Sequence, residues 1–558
     1  MLMENRQLLN RYPQQLDYHQ IIKLVPYRSP WLLIDNVVRW DENSIVVNKA
    51  ISGADPMMAA HLADGPSIMP GVLLIEFMGQ ATMLLSTLTS QAPPSEQTAV
   101  LGRCKGEFIS PARIGELITG HLSITDVVAG KTFYEGIIFA GERKSVRSRA
   151  WGHFSARGGT MNNHYRTSID IAKQCFVLSN VGNGWQRCWN NLLRGEEKFS
   201  IGNHFIRDWP DSPPLSIIEN IADNRDFKNR TNDAAFFVAS QMKESLDRLY
   251  QQNEKLTVLI VVATSHGDPG PLSTLVDLDA ENSLDRLTDD IAEGLLSDGL
   301  IASVNRGIGR NLQGVTTSAA CATSLVSASY ACDMIDFGIA DAVLLVAVDT
   351  LSRVATVAFN NIGAMSQSGC TPYSSGRDGT TVGEGAVALL LARKGILKQE
   401  EVQGTVVGTS VYCDAAHMVE PDPKGVAKTI EKALHQASVS VSDISAIYWH
   451  GTGTIQNDKT EAEAAQILFG EFSPPCSSTK GVLGHTMGAS GGFNILAACE
   501  TLQNGVLPHV ARSADNVFTN LDVVLNEPRY IAPGSGVTLV TALGFGGINA
   551  AIILDANK

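Results

Sequence analysis

At 558 residues the chain is too long for one typical domain, and 44% apolar content with 50 glycines fits a globular α/β protein with many tight turns. A formal net charge of -14 argues against a nucleic-acid partner. The nine cysteines are scattered without a CxxC pair, and Met1–Gln15 is polar with no apolar signal core, so reduced thiols in the cytoplasm are expected. No apolar run is expected to approach the ~18 residues that a membrane span needs.

In chain order, residues 17–155 come first. Strands are predicted at Asn36–Trp40 and Ser44–Ala50. Met69-Pro70-Gly71 then opens an apolar segment, Val72 to Leu88, whose only ionisable group is Glu76; proline at the entry and this composition predict a buried helix. After a loop at Gln91–Gln97, alternating runs at Ala99–Ile109, Glu116–Val127, Thr132–Ala140 and Ser145–Ser155 predict antiparallel strands. One buried helix wrapped by such a sheet is the hotdog arrangement. A short polar stretch follows, so the expected organisation is a first domain over 1–156, a linker over 157–167 and a second domain over 168–558.

In the second domain strands are predicted at Thr257–Ala263, Ala342–Val348, Ala386–Leu391, Gly404–Thr409, Ala446–Trp449 and Val537–Ala542. Helices are predicted at Ala234–Gln251, Ser283–Ser297, Lys424–Ala437, Lys459–Phe469 and Ala489–Gln503. This alternation argues for central sheets covered by helices. Small residues surround one thiol in Thr316-Thr317-Ser318-Ala319-Ala320-Cys321-Ala322-Thr323-Ser324, and a helical pattern follows. A cysteine at a helix start meets free N–H groups and the positive dipole end, which favour thiolate. A lone cysteine of this kind is more often a buried structural residue; two histidine motifs change that reading. One is His450-Gly451-Thr452-Gly453-Thr454 with Glu461 beyond it. The other runs from Lys480 to His485 and on to Gly488-Ala489-Ser490-Gly491-Gly492. Gly544-Phe545-Gly546-Gly547-Ile548-Asn549 closes the set.

Cys, His and His in this order, each in a Gly-rich turn, resemble the β-ketoacyl-acyl-carrier-protein synthases of the thiolase superfamily, over residues 165–558. The resemblance implies two similar α/β halves, although no repeat is visible in the sequence. It implies Cys321 as the acyl-holding nucleophile, and His450 and His485 as the pair that promotes malonyl decarboxylation and stabilises the enolate. It implies an oxyanion hole from the N–H groups of Cys321 and Phe545, a supporting ion pair of Lys480 and Glu461, and pantetheine contacts at Thr452 and Thr454. Leu543 stands where a phenylalanine is common.

The first domain carries a second resemblance. Pro26-Tyr27-Arg28-Ser29-Pro30-Trp31-Leu32-Leu33-Ile34-Asp35, His61 ahead of Met69-Pro70-Gly71-Val72-Leu73, and Glu76 on the helix resemble the 3-hydroxyacyl-acyl-carrier-protein dehydratases. The resemblance implies His61 as base and Glu76 as water-activating group or acid, with the Gly71 N–H polarising the thioester. It also implies a two-fold dimer in which His61 of one subunit meets Glu76 of the other. The sequence departs from the family in Ala60-His61-Leu62-Ala63-Asp64, where Gly-His-Phe-Pro is usual, in one extra residue after His61, and in Tyr27, where histidine is usual.

The expected fold class is an α+β hotdog domain followed by an α/β thiolase-fold domain layered α-β-α-β-α. The expected function is a fused dehydratase–ketosynthase of a type II fatty-acid or polyketide-like pathway. A non-catalytic N-terminal docking or dimerisation module, and a thiolase using coenzyme A, stay open as alternatives. His121, His153, His204 and His417 lie in no motif. No metal spacing and no dinucleotide loop is present, so no bound cofactor is expected; substrates would ride on the phosphopantetheine of an acyl carrier protein. Without a carrier attachment segment, carrier and ketoreductase would act in trans on a homodimer. Carrier proteins are strongly acidic, so docking on an acidic chain needs a local basic patch. Arg143, Lys144, Arg147 and Arg149 are the densest basic cluster, and a charged strand edge is the equal alternative.

Overall fold

The computed structural model describes residues 13–25, 27–28, 31–53, 68–89, 97–128, 131–156, 168–201, 213–219, 221, 230–281, 283–286, 299–471 and 473–556. They form two compact units, Met1–His164 and Tyr165–Lys558, which divide inside the polar stretch 157–167.

The first unit has strands β1 (Asn36–Trp40) and β2 (Ser44–Ala50), helix α1 (Gly71–Thr89), and strands β3 (Gln97–Phe108), β4 (Leu117–Val128), β5 (Lys131–Ala140) and β6 (Arg143–Ala156). The strands pair antiparallel in the order β1-β2-β4-β5-β6-β3. Alternate residues of these strands, including Ile45, Val47, Ile118 and Ile138, pack with Phe77, Ala81, Leu84 and Leu85 of α1. Gly120 lets the helix come close, since a Cβ there would sit 2.7 Å from the Phe77 ring. Phe77 is fully buried, and its truncation to alanine would cost roughly 3–5 kcal/mol. By length and composition α1 could cross a bilayer, against the expectation that no apolar run comes near that length; yet 67% of its apolar window is buried in the unit, as for a core helix. Strand β6 lies between β5 and β3, so the basic cluster sits on an interior strand instead of a sheet edge.

In the second unit one continuous sheet runs through two halves. The first half uses β7 (Ile169–Ala172), β8 (Val258–Ala263), β9 (Gly314–Thr317), β10 (Ala342–Asp349) and β11 (Gly385–Arg393). The second uses β12 (Val402–Cys413), β13 (Ile444–Tyr448), β14 (Pro475–Ser477), β15 (Val537–Gly544) and β16 (Ile548–Asp555). Numbered along the chain within each half, both follow the order 3-2-4-5-1. In both, strands 3 and 4 run parallel to strand 2, and strands 4-5-1 pair antiparallel. The repeat that the sequence hides is therefore present in the topology. Strand β7 joins the halves by pairing with both β11 and β12.

Both faces of the central strands β8, β10, β11, β15 and β16 are buried, which is why they read as unbroken apolar runs; all eight residues of β10 are buried. Val261, Leu345, Val540 and Ile552 point inward to a layer made of α2 (Thr323–Asp336) and α5 (Ser490–Asn504). Ile260 and Leu344 point outward to helix residues Ala235, Val238 and Val304. Leu539 and Ile553 point outward to α3 (Pro423–Ala437) and α4 (Ile455–Phe469). The layering is helix, sheet, helix, sheet, helix.

Some elements differ from expectation. The helix predicted over Ala234–Gln251 is two, Arg230–Ser240 and Lys243–Gln252. Ser240 turns its hydroxyl back to the Phe237 carbonyl at 2.7 Å, and the chain breaks before the buried Met242. Of the helix predicted at Ser283–Ser297, Leu284–Arg286 forms a single tight turn and 287–298 lie outside the described residues.

Candidate active site

Strand β9 delivers the chain to a tight turn ahead of α2, and Cys321 sits in that turn. Ala320 takes φ 48°, a left-handed conformation that costs a residue with a Cβ roughly 1–2 kcal/mol. The turn is held by the Ala319 N–H donating to the Thr323 hydroxyl at 2.9 Å. Gly544 makes room for it, since a Cβ there would lie 2.8 Å from the Ala319 carbonyl oxygen. The helix start does not make Cys321 a resting thiolate. Burial pushes the thiol up to about 12, the nearby Lys480 charge pulls it down, and Asp349 pushes it further up. The dipole acts over one turn, whereas desolvation removes every stabilising water.

His450 follows β13. Its N–H donates to Glu461 Oε1 at 2.7 Å and the Gly451 N–H to Glu461 Oε2 at 2.9 Å. Tyr373 Oη and Asn457 Nδ2 also donate to that carboxylate, at 2.9 and 3.0 Å. From the other side Lys480 Nζ donates to the His450 carbonyl and lies 3.5 Å from His450 Nδ1. Lys480 and Glu461 thus form no direct ion pair among the described residues; they bracket one residue from two sides. Burial raises the Glu461 pKa and lowers that of Lys480, while each group's charge favours the charged form of the other.

His485 follows the short helix Lys480–Leu483, and its Nδ1 lies 3.0 Å from Ser490 Oγ. The His450 and His485 rings are 5.2 Å apart and near perpendicular, at 85°. Burial and the Lys480 charge hold both imidazoles well below the usual histidine range, so both are neutral at pH 7. With Nδ1 facing Lys480, His450 is assigned its proton on Nε2. Two buried N–H groups of this kind can steady negative charge on a substrate oxygen without reorganising.

Thr452 and Thr454 lie together, with hydroxyl oxygens 2.9 Å apart, and Thr454 caps α4 by accepting from the Asn457 N–H. Phe545 is 36% exposed, and its ring lies 5.8 Å from Phe359, which is 6.0 Å from the His485 ring. Sequence reasoning missed Phe359 and Asp349. The Asp349 carboxylate is fully buried and accepts from Thr264 Oγ1 at 2.7 Å, Ser265 N at 3.0 Å and Gly488 N at 2.6 Å. Its only signal was a charged residue ending an apolar strand.

In the first unit His61 lies outside the described residues. Glu76 is half-buried and its Oε1 accepts from Gln80 Nε2 at 3.0 Å; Gln80 in turn accepts from the Leu33 N–H and donates to the Trp31 carbonyl. Burial raises the Tyr27 pKa and the Glu76 charge raises it further, which places the tyrosine near the carboxylate. Gly71 opens α1, and a Cβ there would lie 2.7 Å from the Phe108 ring. The basic cluster is largely paired. Arg143 bonds Glu116 at 2.5 Å and Arg147 bonds Glu135 at 3.3 Å; Lys144 is exposed, and the Arg149 side chain lies outside the described residues.

Three family models match the chain: ApeP dehydratase over residues 19–102, and the N-terminal and C-terminal domains of β-ketoacyl synthase over 258–395 and 403–513. The chain is 25% identical over 407 residues to 3-oxoacyl-[acyl-carrier-protein] synthase 2 of Staphylococcus aureus (strain COL), an alignment covering 68% of this chain and 95% of that protein. Two solved structures cover 70% of this chain and all of their own. The ishigamide ketosynthase/chain length factor has 24% identity and a TM-score of 0.65. A type II PKS acyl-carrier protein in complex with its ketosynthase bound to the hexaketide has 22% identity and a TM-score of 0.63. The fold they share with the second unit is the thiolase fold.

Proposed function

Because the chain belongs to the β-ketoacyl synthases and carries an ApeP-like dehydratase domain ahead of the synthase, we propose that it both extends and dehydrates acyl chains held on an acyl carrier protein. The convergence of the buried Cys321, His450 and His485 around the Lys480 charge carries this reading.

In the first step Cys321 Sγ attacks an acyl thioester. Its proton passes through a neutral imidazole to the departing carrier thiol, since a thiol at about 12 cannot react unassisted. Malonyl thioester then loses carbon dioxide, and the electron pair of the broken C–C bond becomes an enolate, steadied by His450 and His485 Nε2–H. The enolate carbon attacks the Cys321 thioester while the N–H groups of Cys321 and Phe545 hold the oxyanion. Sγ leaves and takes a proton from water, and a 3-oxoacyl thioester is released. Lys480 and Glu461 position His450 from its two sides.

The first unit, with one core helix on a six-stranded antiparallel sheet, is a hotdog domain in this reading. His61 removes the α-proton of a 3-hydroxyacyl thioester, Glu76 protonates the departing hydroxyl, and the Gly71 N–H polarises the carbonyl. The 3-oxo group must first be reduced, so a ketoreductase acts in trans. The working form is a cytoplasmic homodimer without a bound cofactor, served by phosphopantetheine arms. Mass spectrometry of carrier-bound products tests this. The full chain should extend an acyl group with malonyl carrier and remove water from 3-hydroxyacyl carrier. Cys321→Ala should lose only the first reaction and Glu76→Ala only the second; a wild-type chain that does neither sinks the reading.

A further inference from the structure

The His485 backbone is held on both sides. Its N–H donates to the Thr381 carbonyl at 2.6 Å, and its carbonyl accepts the Gly383 N–H at 2.9 Å. Among the described residues its ring has one hydrogen-bond partner, Ser490 Oγ, 3.0 Å from Nδ1; Ser490 Oγ in turn lies 3.1 Å from Thr486 Oγ1. All three side chains are buried. The hydroxyls sit on fixed supports. Thr486 packs on Gly385 of β11, where a Cβ would lie 2.8 Å from the Thr486 Cβ. Ser490 opens α5, and the next residue, Gly491, lies so close to α2 that a Cβ there would collide with Leu325.

Two contacts therefore join three polar groups, and this decides where the protons lie. With a proton on His485 Nδ1, the row holds three protons for two contacts, and one is stranded away from water. With Nδ1 bare, Thr486 donates to Ser490, Ser490 donates to Nδ1, and both hydroxyl protons are placed. A buried donor without an acceptor disfavours the first arrangement by roughly tenfold or more. The proton of the neutral His485 ring is thereby assigned to Nε2. His450 differs. Its Nδ1 lies 3.5 Å from Lys480 Nζ, and an amine donates when charged and accepts when neutral. Burial lowers the Lys480 pKa, which brings the neutral amine within reach and with it both His450 tautomers.

We infer that Ser490 is a positioning residue that commits His485 to donating from Nε2 in the decarboxylation step and leaves the proton relay of acyl transfer to His450. This rests on the synthase reading above. In decarboxylation the electrons of the broken C–C bond pass to the enolate oxygen, which accepts the Nε2–H of His485 without taking its proton. In acyl transfer the Cys321 proton goes to His450 Nε2, while Nδ1–H donates to neutral Lys480, and then on to the departing carrier thiol. Ser490 gains and loses no proton in either step.

The test uses the full chain with Ser490→Ala, and with Thr486→Val in parallel. Carbon dioxide release from malonyl carrier by the acylated enzyme is measured apart from acylation of Cys321. A donor removed outright costs about 10²–10³-fold, so a donor left unpinned should cost less. Ser490→Ala should lower kcat for carbon dioxide release about tenfold, with KM and the acylation rate each within twofold of wild type. Thr486→Val removes the other acceptor of the Ser490 proton but not its bond to Nδ1, so kcat should fall less than threefold. NMR of isotopically labelled histidine reads the tautomer. The signals absent from His485→Asn should show a bare Nδ1 and a protonated Nε2 in wild type, and Ser490→Ala should move part of the proton to Nδ1. A protonated Nδ1 in wild type overturns the proposal, as do an unchanged kcat in Ser490→Ala or equal losses in the two variants. If the wild type releases no carbon dioxide, the synthase reading fails instead, and the tautomer alone decides the role of Ser490.

Discussion

The two halves of the second unit repeat one strand order but finish their matching turns differently. In the first half Ala320 (φ 48°), Cys321 and Ala322 lead into α2 at Thr323; in the second Met487 (φ 47°), Gly488 and Ala489 lead into α5 at Ser490. Gly488 is therefore the counterpart of Cys321. The ends of the facing strands are exchanged in the opposite sense. The Cys321 turn packs on Gly544 at the end of β15, which has no side chain, and the Gly488 turn packs on Asp349 at the end of β10, whose carboxylate accepts its N–H. A Cβ at Gly488 would lie 2.7 Å from Asp349 Oδ2. One turn carries a side chain above a bare floor; the other is bare above an anchoring carboxylate. The difference teaches that a repeated fold divides its labour by exchanging side chains in facing pairs.

The comparison can be broken most sharply at Cys321. Cys321→Ala should abolish condensation and acyl labelling, read by intact mass after incubation with acyl carrier; surviving label would put the nucleophile elsewhere. Next in size, Gly488→Ala should push the His485 turn off Asp349, with a loss of ~10²-fold in condensation on the scale of one oxyanion donor. It should also cost about 2 kcal/mol of stability. Asp349→Ala combined with it should be less damaging than the two losses added, by at least ~1 kcal/mol in a double-mutant cycle. Strict additivity would show that the two positions do not oppose each other.

A third test exploits the second half's own groups. The depressed pKa of His450 and His485 means that the unfolded chain binds protons the native one does not. Their contribution is complete above the unfolded value of ~6.5 and is lost as pH falls below it, by up to ~1.4 kcal/mol per pH unit for each histidine. Urea unfolding between pH 7.5 and 5.5 should show this slope, and His450→Asn with His485→Asn should flatten it. The smallest effect belongs to the left-handed Ala320. Ala320→Gly, which gives up only a methyl group, should stabilise by about 0.5–1 kcal/mol in thermal unfolding. A loss of stability would show that this turn is not strained.

Much of the site was legible because its chemistry lies in short strings: Cys321 among small residues, and His450 and His485 each beside glycines. The strands were legible for two reasons. In the first unit their residues alternate, and in the second they are buried on both faces. The repeat was not legible, because the matching turns share a backbone angle and a following alanine, which leaves almost no trace in residue types. Strand β7 is only four residues long and β9 is rich in glycine and threonine, so neither carried a periodic signal. The thiolate expectation failed because helix position is local information and burial is not. The Lys480–Glu461 pair failed similarly: charge opposition is visible in sequence, but the His450 peptide that they share is not.

Strand β7 has a consequence for how this protein is made. It precedes its two partners, β11 and β12, by more than 200 residues. At about 5–20 residues per second of synthesis, it waits at least ~10 s with both backbone edges unpaired. The first unit is already off the ribosome by then and can close its own sheet. The seam of the second unit is thus its earliest strand made and, within the first half, the last to be satisfied. Truncated chains ending before Val402 should expose that strand to aggregation, even with every residue of the first half present.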